Sequence, residues 1–136
     1  MSTLHSPRKG RYILLVVLAL LLAGGAVIAL RVTIMGQRLT GGYESIEPVD
    51  LSALPDGTYH GEFRDFLVRV EVAVEIVQGT IREVRILRQD SGPGYDAPEM
   101  PDRIVAAQNP RVDVVAGATG SSKAVMTAVY REISRR

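Results

Sequence analysis

Three hydroxyl side chains, Thr119, Ser121 and Ser122, crowd the end of the run Asp113-Val-Val-Ala-Gly-Ala-Thr-Gly-Ser-Ser122, with Gly117 and Gly120 interspersed. Their chemistry depends on the segments on either side. In Lys123 to Arg136, Val125, Met126, Val129 and Ile133 recur at helical spacing, while Val112 to Val115 reads as a strand leading in. A strand-to-helix junction collects free backbone N–H groups and the positive end of the helix dipole, which together attract an anion. The glycines permit close backbone approach to such a ligand. A second reading needs no ligand: Thr119, Ser121 or Ser122 caps the helix and Gly117 turns the chain. On these residues alone both readings stand.

The same run resembles the flavinylation motif of the FMN-binding domain family. In that motif an aspartate is followed three residues later by a small or hydroxyl residue, then Gly, Ala and a Thr or Ser. The corresponding positions here are Asp113, Ala116, Gly117, Ala118 and Thr119. Ala116 departs from the Ser or Thr usual at its place. The resemblance implies FMN attached to Thr119 through a phosphoester bond made by an external Mg-dependent flavin transferase. It makes Asp113 a recognition or bracing residue and Ser121 and Ser122 phosphate binders or caps, with Lys123 as a counter-charge. Gly117, Ala118 and Gly120 would lie against the cofactor. It also implies that Ser91, Gly94 and Tyr95, in the loop after the central hairpin, lie near the flavin. The likeness covers roughly Asp56 to Ile133, with a Gly-x-Tyr-x-Gly start, a hairpin with a turn glycine, and Gly-Ala-Thr near the carboxyl end, in the family's order.

Composition narrows the chemistry. The 136 residues include no cysteine, which removes disulfides, thiolate metal sites and covalently attached c-type haem. Only His5 and His60 carry imidazole, far apart, so a protein-only metal site is not expected. Redox chemistry would therefore need a borrowed organic cofactor. Residues 32–136 hold 12 basic against 15 acidic residues, a formal net of −3, and the chain has no Trp and two Phe. That balance argues against nucleic acid as a partner.

From the amino terminus, residues 1–11 form a basic lead with Arg8, Lys9 and Arg11, and Tyr12 to Leu30 runs nineteen residues without a charge. At about 1.5 Å per residue such a helix spans the hydrocarbon core of a bilayer. It exceeds the roughly 7–15 apolar residues of a signal peptide, so an uncleaved anchor is expected, with the basic lead in the cytoplasm and the rest outside the cytoplasmic membrane. Residues 31–55, with Gly41-Gly42 and two prolines, read as a stalk with a little helix at its start, and the folded domain as residues 56–136. Asp56 to Phe63 suggests a first strand with Tyr59 and Phe63 inward and His60 outward. Phe66 to Val77 alternates Phe66, Val68, Val70, Val72, Val74 and Ile76 against Arg69, Glu71 and Glu75. Gln78-Gly79 turns into Thr80 to Arg88, with Glu71 and Glu75 placed opposite Arg82, Arg85 and Arg88 on a solvated face. Gln89 to Pro101 is a loop, and Pro101 to Gln108 a short helix with Ile104 and Val105 inward, stopped by Asn109-Pro110.

The expected fold is α+β: one small antiparallel-sheet domain with short helices behind a single N-terminal transmembrane helix. Three functions are expected, in order. The first is a membrane-anchored flavoprotein relaying electrons between membrane redox proteins, a carrier rather than a stand-alone enzyme. The second is an FMN-dependent reductase component acting on a small substrate. The third is a flavin-free structural module on a membrane stalk.

Overall fold

A computed structural model of the chain describes residues 7–135, so the first six residues of the basic lead and Arg136 lie outside the described part. The fold is α+β. Helix α1, Pro7–Glu44, is followed by a single 3₁₀ turn at Leu51–Ala53. Strands β1 (Gly57–Arg64), β2 (Arg69–Val77) and β3 (Thr80–Asp90) come next, then helices α2 (Met100–Ala107) and α3 (Thr119–Ile133). The chain forms two compact units, residues 1–34 and 35–136.

The first unit is the apolar part of α1. Its leucines, valines and isoleucines are exposed on every side among the described residues. A helix apolar all round is stable where the solvent is lipid, and this one is long and apolar enough to cross a membrane once. A single-pass membrane anchor is the reading it supports.

The second unit begins earlier than the sequence suggests. The expected stalk is helical through Glu44, and Leu39, Ile46 and Leu54 join the core. Met35, Leu39, Gly42 and Tyr43 recur at i, i+4, i+7 and i+8, which puts them on one helical face, while Gly36, Gln37, Arg38 and Gly41 face solvent. Glycines and prolines in this stretch hide that face from a composition-based reading.

The sheet is a meander in the order β1-β2-β3, all antiparallel. Val70, Val72, Val74 and Ile76 are fully buried, as their alternation predicts. Phe66 is a correction. The chain turns at Asp65 to Val68, where the Asp65 N–H donates to the Val68 carbonyl at 2.8 Å, and Phe66 and Leu67 protrude at the tip instead of pairing. The second turn is of the type that needs left-handed backbone twice, with φ of 51° at Gln78 and 70° at Gly79. The charged face is also rearranged. Glu71 opposes Arg88 in register but pairs with Arg69 at 2.7 Å, Glu75 opposes Glu83, and Arg88 pairs with Asp90 at 2.7 Å.

Both helices cover the sheet, α3 over β1 and β2 and α2 against β3. Gly61 permits the closest approach: a Cβ there would run into the Ala128 carbonyl of α3. Ile104 of α2 is fully buried and Val105 half-buried. Gln108, at φ 51°, caps α2, and its side-chain amide both accepts from the Ile81 N–H and donates to the Ile81 carbonyl, each at 2.8 Å. It thereby supplies β3 with one rung of ladder.

Residues 112–115 do not form the expected strand. Most of their hydrogen bonds go to side chains instead: the Val112 N–H points to Met126 Sδ at 3.3 Å, and the Asp113 and Val114 carbonyls accept from Arg103 Nη1 at 3.2 and 3.3 Å. A segment whose polar groups are already paired in this way has no need of a sheet edge.

Candidate functional site

The candidate motif is held by α3 and by the half-buried segment before it. The Ala118 N–H closes a turn on the Val115 carbonyl at 3.0 Å, and Gly117 occupies the left-handed region at φ 81°. Helix α3 begins at Thr119, immediately after that turn, and its N-cap Ala118 makes no side-chain cap.

The capping reading therefore does not hold for the three hydroxyls. Ser122, fully buried, accepts from the Val115 N–H at 2.9 Å and donates to the Ala118 carbonyl at 2.8 Å. It braces the turn from inside and is not among the residues that line the cavity at the amino end of α3. Ala116, at the place where the motif usually has a hydroxyl residue, is exposed. Thr119 is exposed, and Ser121 is buried at the wall of the cavity.

That cavity has a volume of about 330 Å³. Gly117, Ala118, Thr119, Gly120 and Ser121 form one side. Ser91 and Tyr95, from the loop after β3, form the second, so two stretches 22 or more residues apart in sequence meet there. Met35 and Leu39 of α1 and Val68 of the β1–β2 turn complete it. The Ser91 hydroxyl is tied back to Asp96 Oδ1 at 3.1 Å, which holds the loop in place. Gly94, at φ 80°, shapes that loop without lining the cavity.

Two further sequence candidates lie elsewhere. Lys123 donates to Thr40 Oγ1 at 3.3 Å and stacks over the Tyr43 ring at 5.3 Å, so its charge is engaged by α1 and not turned to the cavity. Asp113 is exposed on a separate, broader groove of about 830 Å³ with Tyr43, Arg103 and Arg111. Met35 and Leu39 are lining residues that sequence reasoning missed. The signal that would have found them is the amphipathic spacing Met35, Leu39, Gly42, Tyr43.

The cavity suits a flat, largely apolar ring system carrying a phosphate. Its volume falls at the lower end of the roughly 300–1,000 Å³ typical of ligand sites. Aliphatic side chains and the Tyr95 ring line one part, and a helix amino terminus with hydroxyls the other, an arrangement whose free N–H groups favour anions in general. Residues 67–134, half of the chain, match the family model described as FMN-binding domain. No curated protein and no solved structure matches the chain. With the family match falling on the segment that builds most of this cavity, the chain belongs to the FMN-binding domain family: it is a flavin-binding protein, and FMN is its cofactor.

Proposed function

We propose that the chain is an extracytoplasmic, membrane-anchored electron carrier with FMN held covalently at Thr119. The observation that carries the reading is Thr119 itself: an exposed hydroxyl in the first turn of an uncapped helix, at the wall of the cavity. When bound, FMN supplies one- and two-electron redox chemistry. Aliphatic and hydroxyl walls hold and shield a ring, which is what a carrier requires.

Attachment needs an activated donor, because a hydroxyl does not displace water from a phosphate unaided. The Thr119 Oγ1–phosphorus bond forms as the phosphoanhydride P–O bond of a flavin dinucleotide breaks. The hydroxyl proton passes to a base of the transferase, and the nucleoside monophosphate half leaves with the electron pair of the broken bond. The exposed position of Thr119 leaves it open to such an enzyme, and Asp113, exposed beside Arg103 and Arg111, serves recognition. The bond keeps the cofactor from being diluted away outside the cell. The basic residues ahead of the apolar helix put the amino terminus in the cytoplasm, and the partners are membrane redox proteins.

The test of the relay is spectroscopic. In membranes of the source cell, the flavin absorbance of the chain should bleach when a respiratory reductant is supplied and recover in air, and Thr119→Ala should abolish that signal. Flavin that responds to dithionite but never to the respiratory reductant would contradict the relay.

A further inference from the structure

Met35 and Leu39 lie outside the family match at residues 67–134, on the helix that carries the membrane anchor, yet both line the cavity. We infer that they contact the flavin and form part of its binding site, which is thus built jointly by the end of α1 and the FMN-binding domain. This rests on the flavin reading of the cavity.

Two sets of observations support a built wall. The first is packing. Leu39 is 5% exposed within the core, Met35 packs against that core, and Leu39 Cδ1 lies 3.7 Å from where a Cβ on Gly120 would sit. Leu39 therefore meets the motif's own backbone. The second is the number of separate attachments holding this turn of helix. Arg38 pairs with Asp65 at 3.6 Å, and that carboxylate's side chain is only 9% exposed. The Tyr43 ring lies under two cations, Arg111 at 4.8 Å and Lys123 at 5.3 Å. Thr40 accepts from Lys123, and a Cβ on Gly42 would come within 3.0 Å of Thr127 Cγ2, so α1 and α3 touch closely there.

These contacts fix residues 38–43 against α3 and the β1–β2 turn. Met35 and Leu39, on the same face, are held over the cavity by them. Two aliphatic side chains there exclude water from a bound ring and strengthen electrostatic interactions around it.

The test uses the full chain in detergent or nanodiscs, flavinylated, with the adduct verified by intact mass. Iodide quenching of flavin fluorescence reads solvent access to the ring without any redox partner. In Met35→Ala and Leu39→Ala the quenching constant should rise severalfold, while Gln37→Ala, on the exposed face, should match wild type. Because Leu39 is a core residue, circular dichroism checks its variant, and Met35→Ala, at a half-buried position, decides alone if that variant unfolds. Wild-type quenching in a folded Met35→Ala and Leu39→Ala overturns the inference while leaving the adduct intact. If wild type carries no adduct but binds FMN reversibly, covalency fails and the same variants are titrated with FMN. Roughly tenfold weaker binding in Leu39→Ala then supports the wall, and unchanged affinity overturns it. A wild-type chain that takes FMN in neither form overturns both.

Discussion

The Ser122 hydroxyl accepts the Val115 N–H at 2.9 Å and donates to the Ala118 carbonyl at 2.8 Å, joining the two ends of the turn that presents Thr119. Ser122→Ala leaves a half-buried N–H unpaired. The expected loss is about 1–3 kcal/mol of stability, measured by denaturant unfolding, together with slower flavinylation from a looser turn. Wild-type stability in this variant would mean that the turn holds by its backbone alone.

Gly61 sets how closely α3 packs on β1, because a Cβ there meets the Ala128 carbonyl and not a movable side chain. Gly61→Ala should cost about 3 kcal/mol, the upper end for overpacking, since neither backbone can yield locally. Thermal unfolding measures it.

Gln108 closes one rung of β3 with two hydrogen bonds to the backbone of Ile81. Gln108→Ala should lose about 1–2 kcal/mol and speed amide exchange at Ile81 in particular. Exchange at Ile81 equal to wild type would show that the contact adds nothing to the strand.

The Asp50 carboxyl is held below its ordinary value first by the Ser52 hydroxyl at 2.5 Å and then by the Ser52 N–H at 3.0 Å. A depressed folded-state pKa gives stability that is present above the unfolded value and lost as pH falls through the folded one. The stability gap between wild type and Asp50→Ala should therefore be constant from neutral pH down to about 4 and shrink below it. A gap that does not change with acid would contradict this.

Much of this fold is legible in the sequence because one physical signal dominates each element. The buried alternation Val70, Val72, Val74, Ile76 dictates β2, Gln78-Gly79 dictates the turn after it, and the nineteen uncharged residues from Tyr12 dictate the anchor helix. Phe66 misled because it continues the period-two pattern while the turn Asp65–Val68 decides otherwise. Val112 to Val115 look like a strand by side-chain type, but their backbone partners are the Arg103, Ser122 and Met126 side chains, which no local pattern reveals. At the site, Ser91, Tyr95 and the Gly-Ala-Thr run share one cavity, which sequence order alone does not show. The α1 wall was hidden because glycines mask a helical face whose period spans only two turns.

The most direct test of the central claim is a denaturing gel viewed by flavin fluorescence, with intact mass beside it. The full chain and Thr119→Ala are each produced together with a flavin transferase. Fluorescence that survives denaturation in wild type, a mass gain of FMN less one water, and loss of both in Thr119→Ala are the predicted result. A wild-type chain that sheds all its flavin on denaturation, or a Thr119→Ala chain that keeps the adduct, would contradict it.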